Sequence, residues 1–211
     1  PNSTLCGESG NFTLNWDDEP LFVPSDNNTV LWPPVLNPYH HFFFANGYAY
    51  AKPTAQPFSP ASSPNLAIFL PNLTDTSPRN DGCAHIGEIG AGPRGSDSIW
   101  WFDAFSAEMA CDNSSGEPCT MIISGYKYNA EAGVELKAYE QTAKLPPCNS
   151  GLFDCKLNHI GLEAGFRGLS GIQFEAFVGS QERRIFMMDN LNMGWANNSC
   201  DAGLLRSIQK K

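Results

Sequence analysis

The side chains of this 211-residue chain that could do chemistry are four histidines, a scatter of carboxylates and a few aromatic-rich segments. Acyl transfer by a serine needs a nucleophile elbow, G-x-S-x-G. Gly168-Leu169-Ser170-Gly171-Ile172 has isoleucine where the motif closes on glycine, and no other segment supplies it. His40, His41, His85 and His159 leave a triad open only if distant segments assemble it. Glycoside hydrolysis needs two carboxyl groups roughly 5–9 Å apart across a groove. Asp103, Glu108, Glu163 and Glu175 fall in or beside strand-like runs. Isolated carboxylates there ordinarily occupy a solvated face.

Asp17-Asp18 near the start and Asp189-Asn190 near the end would meet if the first and last strands were neighbours. Their oxygens, with backbone carbonyls, would suit a structural calcium ion. The more ordinary role of such residues is to close turns and satisfy backbone groups. No other cofactor is indicated, and the cysteines and histidines lack the spacing of a zinc site.

The aromatic residues Trp32, Tyr39, Phe42, Phe43, Phe44, Tyr48, Tyr50, Trp100, Trp101, Tyr126 and Tyr128 are concentrated in short segments. Adjacent strand residues point to opposite faces, so Trp100 and Trp101 should divide between core and surface. The same rule separates His41 and Phe43 from Phe42 and Phe44. Trp101, Tyr126 and Tyr128 are candidates to face a ligand, because Tyr and Trp combine a flat apolar area with a polar tip. That combination suits a sugar and equally an aromatic or terpenoid molecule.

The elements that must position these groups read as strands. Strand-like runs occupy residues 11–16, 40–44, 66–70, 98–105, 120–126, 160–166, 172–177 and 184–189. Residues 130–143 alternate Val134, Leu136 and Ala138 against Glu135, Lys137 and Glu140, a period of two and not of 3.6. Asn46-Gly47, Asn80-Asp81-Gly82, Gly90 to Gly95, Gly168 and Gly171 punctuate the runs. Five prolines between Pro20 and Pro38 mark a long loop that cannot join a central ladder. One helical turn is expected near 201–208. The pattern predicts an all-β, two-sheet antiparallel sandwich, jelly-roll-like, with about ten strands in one domain spanning 1–211.

Seven cysteines and six sequons point to the secretory pathway. Cys111 and Cys119 flank a polar loop, Cys148 and Cys155 a second, and Cys6 and Cys200 lie near the two ends. These pairings leave Cys83 over. Asn2, Asn11, Asn27, Asn72, Asn113 and Asn197 begin N-x-S/T triplets, where chance would give roughly two. The chain opens on a polar stretch without an apolar signal core, which reads as a mature product. A net charge of -9 with scattered basic residues argues against a nucleic-acid partner, and no apolar run is long enough for a membrane helix.

The order of several short motifs resembles a known family. Asn11-Phe-Thr-Leu-Asn-Trp-Asp-Asp-Glu-Pro20 is similar to the "tFDDlP" opening of a family of small fungal secreted sandwich proteins. Pro38-Tyr39 through Phe44 and Ser62-Ser63-Pro64-Asn65-Leu66-Ala67 resemble its "PY..l.f" and "SppNvA" segments. Trp101 to Ser106 resembles "FDl.S", Ile123-Ser124-Gly125-Tyr126 resembles "v.v.Gy", and Phe186 to Leu191 its closing "FvlDNL". That family includes suspected glycan binders and hetero-Diels–Alderases of tropolonic sesquiterpene pathways.

The resemblance to the Diels–Alderases implies a cofactor-independent cycloaddition between a tropolone o-quinone methide and a humulene-type olefin. Such catalysis holds the reactants in a reactive pose and places hydrogen bonds on the diene. His41, Tyr126, Lys127, His159 and Arg167 are then the candidate donors, and Asp103 or a histidine the acid that assists loss of water. Trp32, Tyr39, Phe43, Trp101 and Tyr128 would line the substrate site, in a monomer or at a homodimer interface. The second reading is a secreted, non-catalytic, lectin-like carbohydrate-binding protein; a third is a glycoside-active enzyme. A pericyclase should enclose its aromatics in an apolar pocket, whereas a lectin should present them on an open, wet surface beside planar polar groups.

Overall fold

The computed structural model describes residues 6–20, 32–51, 58–73, 82–113, 116–148, 155–179 and 182–209. The sequons at Asn2 and Asn27 lie outside the described residues. The described strands are β1 (Asn11–Leu14), β2 (Phe43–Phe44), β3 (Tyr48–Ala51), β4 (Phe58–Ser59), β5 (Leu66–Phe69), β6 (Glu88–Gly90) and β7 (Phe102–Cys111). They continue with β8 (Cys119–Asn129), β9 (Val134–Leu145), β10 (Cys155–Lys156), β11 (Asn158–Gly161), β12 (Gly171–Val178), β13 (Glu182–Arg183) and β14 (Phe186–Trp195). Helix α1 (Cys200–Ile208) follows.

Two antiparallel sheets face each other, as the alternating patterns require. The first runs β11-β7-β14-β5-β3, with β1 also on β14. The second runs β2-β6-β12-β8-β9, with β13 on β12. A parallel pair, β10 and β4, covers part of the first sheet's outer side, over Leu66, Ile68, Ala110 and Met187. Between the sheets lie Met121, Ile123, Ile172 and Phe174 from one face and Phe69, Met109, Phe186 and Met188 from the other, all buried. Burying each such side chain contributes roughly 1.5–3 kcal/mol.

Strand β14 has two partners on one side. Its first half pairs with β5 and its second with β1, and the register shifts between Asp189 and Asn192. Asn190 sits there at φ +45°, the left-handed region that asparagine tolerates.

Three expectations need correction. Residues 98–105 are not one strand: Ser98–Trp100 is a 3-10 turn, because the Asp97 carboxylate accepts from Ile99 N at 3.1 Å and caps it. Residues 40–44 are strand only at Phe43–Phe44. The run at 160–166 stops at Gly161. The alternation of Phe42 and Phe44 against Phe43 does hold, the first two being buried and Phe43 half-buried. All three expected disulfides are present, and Cys83 is buried with its thiol 3.7 Å from the Glu88 carbonyl. Among the described residues no helix is long and apolar enough to cross a membrane.

Candidate functional site

Tyr39 and Phe42 exchange two backbone hydrogen bonds of 2.9 Å, leaving His40 and His41 at the tip of a tight turn. Both histidines have positive φ, +45° and +73°. Positive φ at both central positions is the mark of a type I′ turn, where Asn and Gly are the usual residues. A non-glycine residue costs roughly 1–2 kcal/mol in that conformation. The surroundings hold the turn in place regardless. Phe42 stacks on Trp195 at 5.5 Å and meets Phe102 edge-on, and Tyr39 stacks on Trp16. The Arg94 guanidinium donates to the His41 carbonyl and lies 3.8 Å over Trp100.

Each imidazole has a carboxylate. His40 Nε2 is 2.7 Å from Asp18 Oδ2, and His41 Nε2 is 2.9 Å from Glu8 Oε2. Burial would raise the Asp18 carboxyl, but hydrogen bonds from Tyr39 and His40 outweigh it and hold Asp18 below the ordinary carboxylate range. Burial and the Asp18 hydrogen bond push the Tyr39 phenol well up, so it donates. Glu8 is fixed by its main chain: its N–H donates to Gly203 O and Ser207 Oγ, and its carbonyl accepts from Arg206.

The two histidines form the wall between two open clefts. One, of about 420 Å³, is floored by Phe12 and Trp195 and edged by Glu8, Ser9 and Thr13. The other, of about 310 Å³, is edged by Asp18, Leu36, Tyr39 and Arg94. Phe12 is half-buried, its ring 5.0 Å from Trp195. Beside it Thr13 Oγ1 donates to Asn192 Oδ1 at 2.7 Å.

Of the residues expected from sequence, His41, Tyr39 and Asp18 line these clefts; the others lie elsewhere. Asp103 accepts from Gly168 N at 2.8 Å and shapes a loop. His159 is exposed and pairs with Glu108 at 2.8 Å. Arg167 donates to the Ala104 and Phe166 carbonyls and covers the Phe105 ring. Tyr126, on the outer side of the second sheet, donates to Gln173 Oε1 at 2.7 Å, Lys127 is exposed and Tyr128 half-buried. Trp101 donates its indole N–H to Gly95 O, Phe43 packs against Arg94, and Trp32 packs on the smaller core cluster. The expected donors therefore do not converge on one pocket.

The other candidate groupings also separate. Glu163 accepts from the Tyr139 hydroxyl and Glu175 pairs with Arg183, so each strand carboxylate serves a different partner. Asp17 and Asp189 do come close, but Asp17 accepts from Asn65 N, and Asp189 from Ser62 N and Asn190 N. Asp18 turns away to Tyr39 and His40. The three aspartates thus staple the 62–65 segment and the histidine turn, the more ordinary role of such residues. Among the sequons, Asn11 and Asn72 are exposed and Asn197 is half-buried. Asn113 is 4% exposed and donates to the Glu117 carbonyl, so it lacks the exposure an acceptor needs.

Glu8, Phe12, Arg94 and Trp195 are the site residues that the sequence does not single out. The one local signal is the pair His40-His41 between Tyr39 and Phe42, which fits a turn better than a strand.

A family model described as a domain of unknown function, DUF7371, matches residues 8–206. No curated protein matches the chain. Among solved structures, a DUF4465 family protein from Bacteroides caccae is similar over 70% of this chain and 73% of its own, at 13% identity and a TM-score of 0.41. The K2 cleaved adhesin domain of Lys-gingipain is similar over 87% and 98%, at 8% identity and a TM-score of 0.40.

Proposed function

The chain belongs to the DUF7371 family, a domain of unknown function, and we propose that it is a secreted, non-catalytic carbohydrate-binding protein whose glycan contacts centre on the His40–His41 turn. The observation that carries this reading is the pair of consecutive left-handed histidines, each paired with a carboxylate, that form the wall between two open clefts. Non-glycine residues held at positive φ concentrate where side chains must be aimed. Both clefts are open, and one has an aromatic floor edged by the Thr13 hydroxyl and Glu8. A pyranose ring offers the first cleft an apolar C–H face for Phe12 and Trp195 and vicinal hydroxyls for Glu8, Ser9 and Thr13. Three disulfides support an oxidising compartment. The cycloaddition reading has less support, because its donors are dispersed over both sheets.

The test is a glycan array probed with the purified, oxidised chain, followed by calorimetry on any hit. Saturable binding that falls at least tenfold in His41→Ala and Phe12→Ala supports the proposal. An array without hits, or affinity unchanged in both variants, overturns it. Incubation with a hydroxymethyl-tropolone and a humulene-type alcohol separates the classes: accelerated formation of one stereoisomer would favour the pericyclase.

A further inference from the structure

The outer side of the second sheet carries a second constellation, independent of the histidine turn. Gly171 pairs with Gly90 on one side and with Tyr126 on the other, and Gln173 pairs with Glu88. The segment before β6 folds over this face. Gln173 Nε2 donates to Ile86 O at 2.8 Å, and the His85 ring lies on Tyr126 with centroids 3.9 Å apart.

We propose that His85, Glu88 and Glu135 bind one divalent transition-metal ion, with zinc as the best-suited occupant. One ligand atom from each residue can be chosen so that all three lie within 4.8 Å of one another. Zinc ligands at 2.0–2.2 Å from the ion stand roughly 3.3 Å apart, so small side-chain rotations close the site.

Glu88 is 1% exposed, and its Oε2 accepts from Ala84 N at 2.9 Å and His85 N at 2.6 Å. Those bonds fix the carboxylate and leave Oε1 turned toward Glu135. Glu135 Oε1 is shut off from solvent and has no hydrogen-bond partner. Two carboxylates meeting in a buried place repel each other unless a cation or a shared proton lies between them.

The glycines provide the room. A Cβ on Gly171 would stand 2.9 Å from Glu88 Oε1 and 3.2 Å from Glu135 Oε2, and one on Gly90 would stand 3.2 Å from Glu88 Oε1. An imidazole with two carboxylates favours a borderline metal over calcium, which takes six or more oxygens. The stack on Tyr126 and the Tyr126–Gln173–Ile86 chain of hydrogen bonds are the outer supports that orient a ligating histidine. Three protein ligands leave a fourth position for water.

The test titrates the chelator-treated, disulfide-intact chain with zinc sulfate by calorimetry, with metal content measured after dialysis. The expected result is one zinc per chain at micromolar affinity or tighter, lowered at least tenfold in both Glu135→Gln and His85→Ala. Cobalt at the same site should give visible absorption bands that both variants lose. Glu88 is left intact because it anchors the segment before β6, and circular dichroism checks that the variants fold. No saturable binding overturns the proposal. So does equal affinity in the two variants and the wild type, which would place the ion elsewhere, and a shared proton would then account for the carboxyl pair. Neither outcome depends on glycan binding.

Discussion

Nε2 of His41 stands 2.9 Å from Oε2 of Glu8, and this contact ties the Tyr39–Phe42 turn to the N-terminal arm. The His41 side chain is 7% exposed and that of Glu8 26%, so the pair is sheltered from bulk water. Removing a charge-assisted partner in such a place costs about 1–3 kcal/mol. Glu8→Ala should lower stability to urea by that amount, with Glu8→Gln costing less because it keeps the shape. Both should weaken glycan binding in the same order, as calorimetry would measure.

The strain at His40 predicts a trade between stability and binding. Its ion pair with Asp18 is about half exposed, so little stability rests on it. Glycine adopts φ +45° without the Cβ penalty. His40→Gly should therefore leave stability unchanged or raise it by up to about 1 kcal/mol. Ligand binding should fall at the same time. A thermal melt paired with a titration checks both, and a clear loss of stability would contradict the strain.

The Cys6–Cys200 bridge should matter more than the two local ones. It closes a separation of 194 residues, against 8 for Cys111–Cys119. Loop-closure entropy assigns such loops about 5 and about 2.5 kcal/mol respectively. The bridge also seats the arm on α1, where a Cβ at Gly203 would stand 2.0 Å from the Cys6 carbonyl. Cys200→Ser should thus cost stability and displace Glu8 from His41, whereas Cys119→Ser should spare the clefts. Melting temperatures and binding of the two variants, measured side by side, separate these effects.

The sandwich was legible because its evidence is local. The alternation of Val134 to Ala143 became strand β9, and cysteine spacing alone anticipated all three bridges. Strand β3, Tyr48–Ala51, is buried at every position and has no alternation to read. Trp100 and Trp101 do divide between core and a half-buried position, but Trp100 does so from a turn capped by Asp97 where hydrophobicity suggested a strand. The site was less legible, since Glu8 and His41 are separated by 33 residues and Glu8 is held in place by Ser207 and Arg206 of α1. Glu88 and Glu135 come together across β6, β12, β8 and β9, a register that composition does not encode. Donors chosen one by one, such as His159 and Arg167, found surface or backbone partners instead.

Arg206 should be among the least replaceable residues of the helix. It is fully buried and donates to the carbonyls of Glu8, Ile99 and Asn197, with its guanidinium 4.4 Å over Trp195. Lysine has neither the planar fork nor the stacking surface. Arg206→Lys should lose roughly 2–4 kcal/mol, as expected when several buried carbonyls lose their donor. Because one of those carbonyls belongs to Glu8, glycan affinity should fall as well. Equilibrium denaturation and one binding isotherm suffice to check this.

Asp189 makes stability depend on pH in a defined direction. Burial raises its carboxyl to about 6, although backbone N–H groups, including those of Ser62 and Asn190, oppose the rise. In the unfolded chain the same group titrates near the ordinary value of 3.8. The folded state therefore holds the proton more tightly, and the protonated form favours folding. That contribution is complete below about pH 4 and is lost as pH rises through about 6. The difference corresponds to about 3 kcal/mol. Asp189→Asn cannot ionise, so the decline in stability that this group causes between pH 4 and 6 should disappear in the variant. Urea midpoints at pH 4, 5, 6 and 7 for both proteins give the answer. If the two curves stay parallel, Asp189 titrates alike in the folded and unfolded chains.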